Sequence, residues 1–292
     1  MTIQDAINRA KRMQQGRQQE RQVERDASTD RAPERPVDLV SPGAGEIRRV
    51  PAVSFEPLQT IEISEAACRE HRVIVSEDDR RQAPQADAAY RLIRSKVGRR
   101  MQRDNWTSFA VSSPRQGDGK TVTTLNLALS IAREKQRPVY VLDLDMRNPS
   151  VCEYLGVKGL RPLTEYFAGN AQPADVLYQT TIPYFFIAGS HERVDGASEM
   201  LSGPRLEELV QHIRLRSPDA IVIMDLPPVN VTDEALVVAP RVDAMVVVVA
   251  EGKTQREDLS RTLSALSEFT IAGVVVNRSS DQHAGYYGRY AG

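Results

Sequence analysis

The sequence predicts an α/β domain on a mostly parallel sheet with helices on both faces, preceded by a largely disordered N-terminal extension. Three observations predict it. Short apolar runs rich in β-branched residues alternate with helix-period segments through the C-terminal two thirds. Two of those runs, Val139-Tyr140-Val141-Leu142 and Ile221-Val222-Ile223-Met224, end directly in Asp. A third, Phe109-Ala110-Val111, leads into a glycine-bearing loop, Ser112-Ser113-Pro114-Arg115-Gln116-Gly117-Asp118-Gly119-Lys120-Thr121, that opens a helix.

The strands expected in order are Ser108–Ser112, Val139–Asp143, Tyr184–Ala188, Ala220–Asp225, Ala244–Ala250 and Ala272–Asn277. Between them, Val122 to Arg133 carries Leu125, Leu127, Ala128, Leu129, Ile131 and Ala132, and further helices are expected over Pro204–Leu215 and Gln255–Phe269. Right-handed crossovers would bring the glycine loop and both strand-end acidic motifs to one sheet edge, where ligands of open α/β sheets bind. Upstream, residues 1–15 contain a short amphipathic helix with Ile3, Ala6, Ile7, Ala10 and Met13 on one face. Alone it either frays or docks on a partner or membrane surface. Residues 16–50 are rich in Arg, Gln, Glu, Asp and Pro and read as a disordered linker. Residues 51–84 read as an N-terminal arm, residues 85–278 as the main domain, and residues 279–292 as a flexible tyrosine-bearing tail.

The glycine loop reads as a phosphate-binding loop, and the domain therefore as a P-loop NTPase. Glycines let the backbone turn its N–H groups toward phosphate oxygens, and the following helix N-terminus adds its dipole. Gly117, Asp118, Gly119 and Lys120 are the expected cradle, with Lys120 reaching the terminal phosphates and Thr121 ligating Mg²⁺. Pro114 occupies the pattern's usual first glycine, and the loop by itself also fits an ordinary strand-to-helix turn with a surface lysine. The acidic motifs Asp143-Leu144-Asp145-Met146-Arg147 and Asp225-Leu226-Pro227-Pro228 decide between the two. A lone Asp at a strand end is commonly a cap. Three Asp residues converging on Gly-Lys-Thr repel one another unless a cation offsets them, and Mg²⁺ bridging the phosphates of ATP is that cation. ATP and Mg²⁺ are the expected cofactors, with Thr121, Asp145 and Asp225 as metal candidates.

In their order along the chain these motifs, together with the C-terminal Tyr286-Tyr287-Gly288-Arg289-Tyr290, resemble the bacterial tyrosine kinases of capsule and exopolysaccharide biosynthesis, in their stand-alone form. The likeness extends from about residue 85 to the end, through Tyr90-Arg91-Leu92-Ile93-Arg94, similar to the family's arginine-bearing self-association helix, and the strand Gly273-Val274-Val275-Val276-Asn277. It implies an ATP-dependent protein-tyrosine autokinase that regulates polysaccharide polymerisation and export. It implies Tyr286, Tyr287 and Tyr290 as phosphoacceptors, Lys120, Asp143, Asp145 and Arg147 as catalytic residues, and Asn277, with Arg278 beside it, near the adenine. Asp143 would orient the acceptor hydroxyl and take its proton, while Arg147 would stabilise charge or dock substrate; how Asp143 and Asp145 divide the work stays open. Asn277 also reads simply as a strand-end turn residue. The implied partners are a second copy of the chain and the cytoplasmic tail of a membrane polysaccharide co-polymerase that acts as activator. Ala88 stands where the family has Glu in the self-association motif, and Leu226 where many members have Ser or Thr. Two other readings remain: a non-kinase ATPase switch of the partition or division-site type, in which a lysine occupies the place of Arg115, and a nucleotide-binding scaffold of the polysaccharide machinery.

Composition excludes other classes. The 292-residue chain has formal net charge −1, so no nucleic-acid partner is expected. Its two cysteines, Cys68 and Cys152, lie far apart without metal spacing. His71, His191, His212 and His283 are scattered and expected at the surface or at helix ends. The longest apolar run, Ala244 to Ala250, is too short to cross a bilayer, and a cytoplasmic location is expected, with peripheral association at the inner membrane face as an extension of it.

Overall fold

Eight strands form one sheet in the computed structural model, which describes residues 56–279. The expected N-terminal helix, the linker and the tyrosines of the tail lie outside the described residues. In chain order the first half contains β1 (Thr60–Ile61), α1 (Glu65–Glu70), α2 (Glu77–Gln82), α3 (Pro84–Asp104), β2 (Ser108–Ser112), α4 (Lys120–Ala132), β3 (Val139–Asp143), α5 (Val151–Leu155), α6 (Leu163–Phe167) and α7 (Pro173–Val176). The second half contains β4 (Tyr178–Thr180), β5 (Phe185–Ala188), α8 (Ala197–Ser202), α9 (Arg205–Arg216), β6 (Ile221–Asp225), α10 (Glu234–Val238), β7 (Ala244–Ala250), α11 (Arg256–Ala265) and β8 (Ile271–Asn277). The spatial order is β1-β4-β5-β3-β6-β2-β7-β8. Every neighbouring pair is parallel except β4 with β5.

Every residue of β2, β3, β6 and β7 is buried. Because strand side chains alternate between faces, burial of both sets means both faces are covered. Phe109, Val111, Val139, Val141, Ile221 and Ile223 share a core with Leu125, Leu127 and Leu129 of α4. Each such side chain contributes roughly 1.5–3 kcal/mol of transfer free energy. Helix α4 is buried along almost its whole length, as expected of a helix apolar on more than one face. The polar helix α3 packs over it.

Sequence periodicity did not reveal β1 or β4, which are two and three residues long. So short a strand carries no alternation to read. Thr180 sets the turn between β4 and β5: its Oγ1 accepts from the Ile182 N–H at 3.1 Å and donates to the Phe185 carbonyl at 2.9 Å. The expected helix over Gln255–Phe269 ends at Ala265, and the one expected from Val122 begins at Lys120. His71 closes α1 and stacks on Tyr154 at 4.2 Å between ring centroids. His212 departs from expectation: it sits half-buried in mid-α9, where burial lowers its pKa.

Two side chains, Asn126 of α4 and Arg133 just after it, fasten the segment before α3 to that helix, Arg133 through the Ile74 carbonyl. Asn126 accepts from the Ile74 N–H at 2.8 Å and donates to the Arg72 and Val122 carbonyls, both at 3.0 Å. Asn126→Ala would leave the buried Ile74 N–H without its partner and remove the half-buried bond to the Arg72 carbonyl. The expected loss is about 2–4 kcal/mol. Urea unfolding should show a lower midpoint at unchanged slope, and an unchanged midpoint would contradict this account of the tie.

Candidate active site

Topology brings three chain segments to one edge of the sheet. Strand β6 lies between β3 and β2, and Asp143 and Asp225 are register partners at the ends of β3 and β6. The glycine loop leaves the end of β2 beside them, and Ser112 Oγ donates to the Pro227 carbonyl at 2.6 Å. Further backbone ties run from Leu226 N–H to the Val111 carbonyl and from Val229 N–H to the Ser113 carbonyl, both 2.9 Å. The loop and the third motif are thus one hydrogen-bonded unit.

Within the loop, Gly117 and Gly119 take φ of 81° and 97°, the left-handed region that favours glycine. Gly119 has a second reason. A Cβ there would lie 1.9 Å from Asn277 Nδ2. Asn277 instead donates to the Asp118 carbonyl at 2.9 Å, and Arg278 donates to the Gly117 carbonyl at 3.0 Å. The end of β8 therefore braces the loop's backbone. The Asp118 side chain is also turned inward. It accepts from the Arg115 N–H at 3.0 Å and from Thr254 Oγ1 at 2.9 Å, so this carboxylate shapes the loop.

Lys120 and Thr121 open α4 among the carboxylates. Lys120 Nζ lies 2.8 Å from Asp145 Oδ2 and 3.2 Å from Asp225 Oδ2. Thr121 Oγ1 donates to Asp225 Oδ2 at 2.6 Å, and Thr124 Oγ1 donates to Asp225 Oδ1 at 3.0 Å. All five groups are buried. Asp143 is held differently: its Oδ2 accepts from the Ser150 and Val151 N–H groups, both 2.9 Å, and its Oδ1 from the Asp145 N–H at 3.3 Å. Those contacts curl the second motif back on itself and fix Asp143 at the start of α5.

The electrostatics follow from crowding. Burial, reinforced by the charge of Asp225, pushes the Asp143 carboxyl up to about 8. Burial also raises Asp225, opposed by Lys120 and Thr121. Burial disfavours the charged form of Lys120, yet Asp225, Asp145 and Asp143 together outweigh it and raise its pKa. One ammonium among three carboxylates leaves a net negative pocket of oxygen donors. That chemistry suits a hard divalent cation, with Thr121 and Asp225 presenting oxygens side by side.

Arg147 stands apart from this cluster. Its Nε pairs at 2.6 Å with Oε1 of Glu234, a fully buried residue at the start of α10, while about half of the arginine side chain is exposed. The structure thus brings together Lys120, Thr121, Asp143, Asp145 and Asp225, ties Gly117, Asp118, Gly119 and Asn277 into the loop above them, and places Arg147 on Glu234. Sequence reading missed Thr124, Thr254 and Glu234. Thr124 was within reach, lying one turn after Lys120; the other two come from distant elements with no motif to mark them.

Three comparisons bear on this site. The family model described as "ParA: NUBPL iron-transfer P-loop NTPase" matches residues 106–284. The tyrosine-protein kinase CpsD of Streptococcus agalactiae is 25% identical over 187 residues, covering 62% of this chain and 80% of that protein. The tyrosine-protein kinase YwqD of Bacillus subtilis is 24% identical over 204 residues, covering 68% and 85%. In fold, the kinase domain of the Escherichia coli tyrosine kinase ETK superposes with a TM-score of 0.63 over 76% of this chain and 91% of that one, at 23% identity.

Proposed function

This chain belongs to the P-loop NTPase family of that ParA/NUBPL model, and from that premise we propose that it is a protein-tyrosine autokinase of capsule or exopolysaccharide biosynthesis, using Mg²⁺-ATP. The observation that carries the reading is the buried convergence of Lys120, Thr121, Asp143, Asp145 and Asp225 in a chain whose sequence also supplies a tyrosine cluster. When bound, Mg²⁺-ATP supplies the phosphoryl group and the cation that offsets its charge. Gly117, Asp118, Gly119 and Lys120 would hold the phosphates, largely through backbone N–H groups and the Lys120 ammonium. Thr121 and Asp225 would hold the metal, with Asp145 completing its surroundings. Asp143, held at the end of β3 by the Ser150 and Val151 N–H groups, would orient the tyrosine hydroxyl and take its proton. Phosphoryl transfer asks mainly for positioning and charge neutralisation, and Arg147, held by Glu234 with half of its side chain open, would serve charge or substrate docking. Asn277 would sit near the nucleotide as a brace of the loop, a role its bond to Asp118 supports more directly than adenine recognition.

The relatives named as kinases favour this over an ATPase switch of the partition type, as does Arg115, whose side chain pairs with Asp258 at 3.5 Å. Cys68 and Cys152 are both buried and free, which favours phosphoryl over iron chemistry. The domain would comprise residues 85–278, after an arm of residues 51–84, and the tail, residues 279–292, would carry the acceptors Tyr286, Tyr287 and Tyr290. No helix of the described residues is long and apolar enough to cross a membrane. We place the chain in the cytoplasm, recruited and activated by the cytoplasmic tail of a membrane co-polymerase and assembled with further copies of itself.

The test is mass-spectrometric mapping of phosphotyrosine on the full chain after incubation with Mg²⁺-ATP. Label should concentrate on Tyr286, Tyr287 and Tyr290 and fall sharply when all three are Phe. Nucleotide hydrolysis without phosphotyrosine would make the chain a switch, and binding without either would make it a scaffold.

A further inference from the structure

A cleft lies at the opposite edge of the sheet. Ile221 opens β6, and Gln136 with Arg137 leads into β3, so the cleft lined by these residues and by α3 is at the strands' N-terminal ends, away from Asp143 and Asp225. Its volume is about 500 Å³. The rim carries Arg94, Arg99 and Arg137 against a single carboxylate, Glu134, and that carboxylate is already paired with Arg94 at 2.9 Å. The floor is apolar: Met101, Ile131 and Ile221. Arg137 is braced through Nε on the Asp219 carbonyl at 2.6 Å, which fixes its guanidinium at the mouth. Arg99 is exposed and has no ion pair among the described residues. An apolar floor under a guanidinium rim fits an aromatic ring bearing a dianion, because Arg presents paired donors to phosphate and packs flat on aromatic faces.

We propose that this cleft binds phosphotyrosine, and that its occupant is the phosphorylated tail of the same chain, residues 280–292. This rests on the kinase reading for its source of phosphate. The charge argument is specific to the modified tail. Asp281 and Arg289 offset each other in the unmodified segment, whereas each phosphate adds about −1.5 to −2 charges near neutral pH. The unmodified tail has no electrostatic reason to leave the active site; the phosphorylated tail has one. Chain length permits the crossing. Extended, Arg278 to Tyr290 spans up to about 40 Å, which covers a return of about 24 Å along β8 and about 14 Å across the three strand spacings from β8 to β6. Docking would clear product from the carboxylate-lined site and hold it where it no longer competes with fresh substrate.

The experiment uses the full, unphosphorylated chain and a synthetic peptide of residues 280–292 phosphorylated on its three tyrosines, followed by fluorescence anisotropy. The phosphopeptide should bind at least about tenfold more tightly than the same peptide unmodified, and Arg99→Glu and Arg137→Ala should each weaken it about tenfold. Prior phosphorylation of the chain's own tail should block the probe to the same degree at every chain concentration. Equal binding of both peptides, or indifference to Arg99→Glu, would overturn the proposal. Blocking that fades on dilution would overturn docking within one chain. Vesicles of phosphatidylglycerol bound through Arg99 in place of the peptide would make the cleft a membrane contact instead. Because the peptide is synthetic, the two readings fail separately. A chain that phosphorylates its tail but ignores the phosphopeptide loses only the cleft, and one that binds the phosphopeptide but never forms phosphotyrosine loses only the kinase.

Discussion

Lys120→Met is expected to lower autophosphorylation by about 10²–10³-fold, the scale on which removing one preorganised charge-stabilising donor acts. The substitution keeps an unbranched apolar stem of similar length and removes only the ammonium. That ammonium is the cation within 3.2 Å of both Asp145 and Asp225, so its loss has a second consequence in the free chain. Asp143, Asp145 and Asp225 would then face one another with less compensation. Their mutual repulsion would rise, and the variant should gain more stability from added Mg²⁺ than the wild type does, as measured by thermal unfolding without nucleotide. Phosphotyrosine yield equal to wild type would remove this loop from the kinase site. Loss of yield accompanied by loss of the cooperative unfolding transition would indicate a collapsed fold, and Mg²⁺-dependent recovery of that transition separates the two outcomes.

Much of this architecture was legible because local signals and global topology agree. The runs that became β2, β3, β6 and β7 are continuous and β-branched, and they are buried on both faces, the arrangement that such runs encode. The loop from Ser112 to Thr121 was legible for a different reason: its glycines are needed at positive φ, and the Lys-Thr that follows opens a helix with no side-chain cap. What was not legible comes from distant pairings. Nothing near Asn126 announces that its amide will hold Ile74 and Arg72 more than fifty residues away in sequence. Glu234 looks like an ordinary first-turn acid of α10 until Arg147 is seen paired with it, and Asn277 looks like a strand-end residue until its contact with the loop excludes any side chain at Gly119. Asp118 belongs to the loop expected to cradle phosphate through its backbone, and nothing near it in sequence announces that its carboxylate will bond the Arg115 N–H and Thr254. Residue type gave the chemistry of that position, and only tertiary context gave its direction.

Asp143→Asn is expected to separate stability from transfer, because the two make opposite demands on this carboxylate. Burial and Asp225 hold its folded pKa near 8, above the 3.8 of an ordinary carboxyl. A folded pKa raised in this way contributes stability that is full below the unfolded pKa and is lost as pH rises through the folded one. Wild-type Asp143 therefore costs the free chain progressively more stability between about pH 4 and pH 8. Asn carries no charge and can still accept from the Ser150 and Val151 N–H groups, so the variant lacks that cost and keeps the curl of the second motif. Urea unfolding should show the variant gaining on wild type as pH is raised from 6 to 8. Transfer should fall by about 10²–10⁴-fold, the usual contribution of a positioned base, while Mg²⁺-ATP affinity by calorimetry stays close to wild type. Asp145→Asn, which removes the group 2.8 Å from Lys120, should instead raise the Mg²⁺ requirement. If Asp143→Asn weakens Mg²⁺-ATP binding while Asp145→Asn spares it, the two roles must be exchanged. If the stability difference is flat from pH 6 to 8, the carboxylate is not the strained group that its burial beside Asp225 makes it.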